Sequence, residues 1–177
     1  MNGTEKQWNE KSLQEMVDHL LSTHHAYTKI ALESLWPLMD KVERVHGATH
    51  PELSELKRLY ARLRDDLQLH LMKEEQILFP YIGKLDACEQ LAKPHFGTIA
   101  NPVRMMTAEH DEDGKILDRM QAITNSFAIP PDACASFNAL YAGMRQLTED
   151  LRHHIHFENT ILFPKAIERE QLARAGM

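Results

Sequence analysis

The sequence is short of the residues that make turns and of long apolar runs. Its 177 residues include 7 glycines and 8 prolines, a share below the usual ~12%. A sandwich or barrel of many strands needs frequent turns, so this scarcity favours a few long helices. No run of 18 apolar residues is present, so we predict no membrane span. The polar first eleven residues contain no apolar segment of a secretory signal.

Cysteine and clustered positive charge are also scarce. Cys88 and Cys134 are 46 residues apart, so they form neither a paired zinc motif nor a redox dithiol, and we expect a reducing, cytoplasmic setting. With 20 basic and 26 acidic residues the net charge is −6, and without a basic cluster no nucleic-acid partner is expected. A hydrophobic fraction of 43% excludes a disordered chain. Histidine, by contrast, is abundant, with 11 copies.

Capping, turn and proline signals divide the chain into four helical segments. They run from about 12 to 46, 51 to 84, 101 to 126 and 130 to 170, and Pro37 is expected to kink the first. Apolar residues recur every three or four positions, as in helices that face a core. Because the connections are mostly short, we predict an all-α, antiparallel up-down four-helix bundle. It would form one domain over residues 1–177, with a core at about 12–170 and frayed ends.

The second and fourth segments carry nearly the same motif. His70–Pro80 aligns with His154–Pro164, which lies 84 residues further on, and both copies end in Ile-Leu-Phe-Pro. A histidine also precedes each copy in the preceding segment, at His25 and His110. Each half of the sequence is therefore predicted to form one helical hairpin. Two hairpins packed about a pseudo-twofold axis would bring four histidines and two glutamates to the bundle centre.

The residue types in this repeat point to metal binding. A histidine and a glutamate four residues apart share one face of a helix and can aim at one point. Glu74 and Glu158 fall at core positions, where a lone carboxylate must take up a proton or find a cation. Imidazole and carboxylate suit iron, manganese or zinc rather than a soft metal. Four histidines and two glutamates are more ligands than one structural zinc binds, and they suit two metals that both glutamates bridge. The motif alone is more often a surface pair, but its repetition in core register favours a di-iron centre.

Five stretches together resemble a hemerythrin-like (HHE cation-binding) domain, and most closely its repair-of-iron-centres subgroup. They are Thr23–Tyr27, Val42–His46, His70–Pro80, Glu109–Asp111 and His154–Pro164. The resemblance covers about 12–170. It implies six metal ligands, which are His25, His70, Glu74, His110, His154 and Glu158. The two glutamates would bridge the metals, with an oxo or hydroxo group beside them. Longer members carry an N-terminal domain with a cysteine pair, to which nothing here corresponds. We therefore expect this chain to act as the bare di-iron module.

Two further histidines are candidates for positions near the site. Neighbouring residues lie about 100° apart on a helix, so only one of His24 and His25 can point inward. The repeat favours His25, which leaves His24 at the flank. His46 is either a helix C-terminal histidine favoured by the helix dipole or an additional group near the site. Glu75 and Glu109 are expected on solvated faces.

The resemblance also implies a function. It points to a non-haem di-iron protein of the nitrosative and oxidative stress response that supports iron–sulfur cluster repair by supplying iron or handling nitric oxide. The alternative is reversible binding or sensing of dioxygen or nitric oxide. A di-iron oxidase or peroxidase ranks last, and whether the chain is an enzyme stays open. The expected cofactor is two iron ions, with manganese or zinc as substitutes. The expected partners are a small ligand and damaged iron–sulfur proteins.

Overall fold

A computed structural model describes residues 8, 10–87 and 94–175, which form four helices and no strand. Helix α1 consists of Leu13–His19, Leu20–His25 and Ala26–His46, and α2 of Glu52–Lys73, Glu74–Leu78 and Phe79–Asp86. Helix α3 is Ala100–Ile123, and α4 consists of Ala135–Phe157, Glu158–Leu162 and Phe163–Ala175. The predicted all-α bundle is confirmed. Cys88 and the two ends of the chain lie outside the described residues.

The helix boundaries follow local signals at some points and depart from the prediction at others. Ser12 begins α1 with a capping box, in which the Glu15 N–H donates to Ser12 Oγ at 3.1 Å. Helix α1 stays helical through Pro37. Helix α4 begins at Ala135, five residues after the predicted start, because the residues after Pro130 form a turn and Cys134 is still extended. The start of α1 lies against the end of α2, where the Gln14 N–H donates to Asp86 Oδ2 at 3.4 Å.

Three of the four helices contain a short π-helical segment: Leu20–His25, Glu74–Leu78 and Glu158–Leu162. In the second of these the Phe79 N–H donates to the Glu74 carbonyl, five residues back, and the third repeats this pattern. A proline follows in both copies. Its ring would collide with the carbonyl four residues back in a regular α-helix, and a wider turn relieves that contact. Such segments occur frequently at functional sites.

The hydrophobic core has two parts, one on either side of a layer of buried polar residues. One cluster packs the segments Leu13–Leu20, Leu78–Leu85, Ile99–Met106 and Phe157–Ala166. The other packs Ala31–Val42, Leu53–Leu67, Ile116–Met120 and Phe137–Leu151. Along each helix the repeated histidines lie between the two clusters, as does Glu74, and Glu158 lies where the second cluster segment of α4 begins. Within the described residues, no helix has the length and apolarity needed to cross a bilayer.

Candidate metal centre

The structure brings together all six residues of the predicted ligand set. Their side chains are buried, and both carboxylates are 0% exposed. They form two groups that share the glutamates. We call His25 and His154 with the two glutamates subsite 1, and His70 and His110 with the same glutamates subsite 2. Each subsite therefore takes one histidine from each helical hairpin.

The two glutamates span the two subsites. Glu74 places Oε2 at 3.4 Å from His25 Nε2 and Oε1 at 3.3 Å from His70 Nε2. Glu158 places Oε1 at 3.1 Å from His154 Nε2 and Oε2 at 3.2 Å from His110 Nε2. Each carboxylate thus presents one oxygen to each subsite. This is the arrangement that two bridging carboxylates require.

The donor atoms at the centre fit a pair of cations. Among the described residues, seven buried atoms here have no hydrogen-bond partner: His25 Nε2, both oxygens of Glu74 and of Glu158, and both ring nitrogens of His154. In addition, His70 Nε2 and His110 Nε2 lie 3.1 Å apart. Unpaired buried polar atoms are costly unless a proton or a cation satisfies them. The set of imidazoles and carboxylates suits a divalent metal of the iron, manganese or zinc type.

The outward nitrogens of three imidazoles are hydrogen-bonded. His25 Nδ1 donates to Glu75 Oε1 at 2.9 Å, and His70 Nδ1 donates to Glu109 Oε2 at 2.9 Å. His110 Nδ1 donates to Asn159 Oδ1 at 3.0 Å. A neutral ring with its hydrogen on Nδ1 presents the Nε2 lone pair to the centre, as binding to a metal requires. Hydrogen bonds of this kind orient a metal-binding imidazole and increase its basicity.

The expectation that Glu75 and Glu109 lie on solvated faces is wrong. Each is half-buried and accepts from an imidazole, and each also pairs with a lysine, Glu75 with Lys29 at 2.6 Å and Glu109 with Lys73. The sequence reasoning also missed Asn159. One signal was available, since Glu75 and Asn159 occupy equivalent positions, directly after the glutamate of each repeat.

Burial and charge act in opposite directions on the groups of the centre. Burial lowers the pKa of His70, but the close contact with Glu74 and the negative charge of that carboxylate outweigh burial and raise the pKa to about 9. Burial likewise opposes ionisation of Glu158, yet His154 and His110 hold the pKa of its carboxyl below the ordinary value. The carboxylates and imidazoles therefore stabilise one another's charge inside the bundle.

The two histidines considered as near-site groups lie in different places. His24 is buried beside subsite 1, where its ring stacks on His154 with centroids 5.6 Å apart, and its Nδ1 lies 2.9 Å from Asp150 Oδ1. The interpretation of His46 as a near-site group is wrong. Its Nε2 lies 3.2 Å from Cys134 Sγ, and 21 helical residues after His25 correspond to about 30 Å. A histidine at the end of a long helix cannot reach a centre near the other end.

Open space adjoins the histidines of the centre. A cavity of about 10 Å³ lies beside His70, His110, His154 and Asp113, which is about the room that one water needs. A groove of about 420 Å³ between α2 and α3 also reaches His70 and Asp113. Asp113 thus borders both spaces.

Comparison with known proteins identifies the family of the chain. The hemerythrin HHE cation binding domain family matches residues 16–166. A "Probable iron-sulfur cluster repair protein" of Haemophilus influenzae is 37% identical over 170 residues, which cover 94% of this chain and 70% of that protein. The "Iron-sulfur cluster repair protein YtfE" of Escherichia coli O157:H7 is 38% identical over 167 residues, covering 94% and 71%. The chain belongs to the hemerythrin HHE cation-binding family.

Proposed function

We propose that this chain binds two iron ions and supports the repair of iron–sulfur clusters after nitrosative or oxidative stress. The observation that carries the proposal is the pair of buried glutamates, each of which presents one oxygen to both subsites. The names of the two relatives support the repair role. Damaged iron–sulfur proteins of the cytoplasm are the proposed partners.

Some residues at the centre would bind the metals, and others would hold these ligands in position. The four histidines would each bind through Nε2, and Glu74 and Glu158 would bridge. Glu75, Glu109 and Asn159 would hold three of the rings in place through Nδ1. The two hydrophobic clusters keep bulk water away from the layer between them, which strengthens the electrostatic interactions inside it. The bound irons would supply redox chemistry and a store of metal for clusters that have lost iron.

A repair assay tests this function. An iron–sulfur enzyme damaged by nitric oxide is incubated anaerobically with the iron-loaded protein, and recovery of its activity is compared with recovery in the same amount of free ferrous iron. We expect faster recovery with the protein. Glu74→Ala should abolish the gain because one bridge is lost, whereas Glu33→Ala, at an exposed position of α1, should keep it. Equal recovery with free iron would contradict the repair role.

A second candidate function is reversible binding of dioxygen or nitric oxide. The cavity beside His70, His110 and His154 favours it, because it leaves open space of about 10 Å³, roughly that of one water, next to three of the candidate ligands. Anaerobic reduction of the iron-loaded protein followed by air separates the two functions. A stable oxygen adduct that is lost under vacuum would favour binding, and rapid irreversible oxidation would favour repair.

A further inference from the structure

Three of the four imidazoles of the centre are fixed by a protein group on the outer side. Glu75 holds His25, Glu109 holds His70, and these two carboxylates are equivalent because each also pairs with a lysine. Each subsite contains one of these two imidazoles. The carboxylate-backed histidines therefore do not distinguish one subsite from the other.

The other two imidazoles differ. His110 of subsite 2 donates from Nδ1 to Asn159 Oδ1 at 3.0 Å. His154 of subsite 1 is 2% exposed, and its Nδ1 has no hydrogen-bond partner among the residues that the structure describes. The stacked ring of His24 does not serve it, since the two rings are nearly parallel, at 14°, and His24 Nδ1 is engaged with Asp150.

We propose that the two subsites bind metal with unequal strength, and that subsite 1, formed by His25 and His154, releases its metal first. The proposal rests on the proposed iron binding and deepens it. Removal of an outer hydrogen-bond partner typically lowers metal affinity 10- to 100-fold. We therefore expect the dissociation constants of the two subsites to differ by about that factor.

The unequal affinities of the two subsites would determine which iron the protein donates during repair. The protein would donate the iron of subsite 1 and retain the iron of subsite 2. The retained iron would keep both glutamates and two histidines in place, so that the emptied subsite could be refilled without rebuilding the centre. Asn159 is then a positioning residue, acting on the metal through His110.

Stepwise removal of iron tests the proposal. The protein is loaded anaerobically with ferrous iron and equilibrated with chelators of increasing strength, and the iron left per chain is measured. The wild type should lose iron in two steps separated by a plateau at one iron per chain. Circular dichroism of each metal-free variant checks that it is folded.

Two substitutions identify which subsite empties first. Asn159→Ala weakens subsite 2, so the two steps should merge. Glu75→Ala weakens subsite 1, so the first step should move to weaker chelators and the plateau should widen. Asn159→Asp keeps an acceptor for His110 and should retain the plateau. Thr107→Val is the control for Asn159→Ala, because Thr107 Oγ1 lies 3.5 Å from Asn159 Oδ1 but does not hold His110.

The outcomes separate this inference from the proposed function. A single release step in the wild type would overturn the inference while leaving iron binding intact. A plateau that widens in Asn159→Ala and narrows in Glu75→Ala would also overturn it, because the order would be reversed. A folded wild-type protein that takes up no iron would overturn the proposed function and the inference with it.

Discussion

Glu170 in α4 is a buried carboxylate that metal binding does not explain. It is 3% exposed. The Tyr81 hydroxyl donates to its Oε1 at 2.6 Å, the Ile99 N–H at 3.1 Å and Arg174 at 2.9 Å. Ile99 is the N-cap residue of α3, where a negative charge is favourable. Glu170 therefore ties the ends of α2 and α4 to the start of α3.

Truncation of this carboxylate should destabilise the protein strongly. Glu170→Ala leaves two buried donors, the Tyr81 hydroxyl and the Ile99 N–H, without this acceptor and removes the ion pair with the exposed Arg174. We expect the free energy of unfolding to fall by about 3 kcal/mol. Tyr81→Phe removes one of the hydrogen bonds and should cost about 1 kcal/mol. Urea denaturation of the metal-free proteins measures both values. Equal losses in the two variants would contradict the role of Glu170 as the shared acceptor.

Cys134 is an exposed free thiol at the start of α4, remote from the proposed metal centre. Hydrogen bonding from the Phe137 backbone N–H, together with the nearby His46 ring, lowers the pKa of the Cys134 thiol to about 7. The thiolate, which is the reactive form, is therefore fully formed only above that pH.

Alkylation of Cys134 should show this shift directly. The rate with iodoacetamide, followed by mass spectrometry of the Cys134 peptide, should rise with pH through a midpoint near 7. His46→Leu removes one stabilising group, so the midpoint should move toward the ordinary value and alkylation at pH 7 should slow several-fold. His50→Leu, which removes a ring bonded to Asp132 instead, should change little. An unshifted midpoint in His46→Leu would show that His46 does not act on the thiol.

The repeat predicted which residues meet at the centre but not which residues hold them. The six candidates share a helical register, so a pattern of threes and fours finds them. Glu75, Glu109 and Asn159 are each one residue from a candidate ligand and fall off that register. Their positions depend on where neighbouring helices lie, which the sequence pattern does not contain. For the same reason, the contact between His46 and Cys134, 88 residues apart, could not be predicted.

At the scale of the elements, the π-helical segments coincide with the candidate ligands. Glu74 and Glu158 each begin such a segment, and His25 ends another. An α-helical period predicted the four helices and most of their bounds. It could not predict the extra width, which coincides with a following proline in Glu74–Leu78 and Glu158–Leu162 but not in Leu20–His25.

Deletion of Gln76 tests the role of one π-helical segment. Gln76 is exposed within Glu74–Leu78, and its loss should let the segment close to a regular α-helix. The Phe79 N–H would then bond to the Glu74 carbonyl four residues back instead of five, so the helix would keep its direction on both sides of the deletion. The ring of Pro80 would again meet the carbonyl four residues before it, and we expect the free energy of unfolding to fall by about 3 kcal/mol. Urea denaturation of the metal-free proteins measures this loss. Gln76→Ala should cost little, and a deletion variant as stable as this control would contradict the role of the wider turn in relieving the proline.

At the scale of the whole molecule, the polar layer divides a core that leucines could have filled. Both carboxylates are 0% exposed between the two hydrophobic clusters. Buried charges often contribute less to stability than well-packed apolar residues of similar size. The layer is thus explained by ligand binding rather than by folding, and bound metal should stabilise the folded state.

A comparison of the iron-loaded and the metal-free protein tests whether bound metal stabilises the folded state. Free metal at 1,000 times the dissociation constant stabilises the folded state by about 4 kcal/mol, so the Tm of the wild type should rise clearly on loading with iron. In the double variant Glu74→Leu, Glu158→Leu iron should no longer raise the Tm. The metal-free variant should itself be less stable than the metal-free wild type, because the buried imidazoles lose the carboxylates that stabilise them. A metal-dependent Tm in the double variant would contradict the role of the glutamates.

We propose that two metal ions are held by His25, His70, Glu74, His110, His154 and Glu158. The most direct measurement is a crystal structure of the iron-loaded protein with anomalous data collected at the iron edge. We expect two iron peaks, one bound by Nε2 of His25 and His154 and one by Nε2 of His70 and His110, with both carboxylates bridging. A single peak, or a peak outside this layer, would contradict the account.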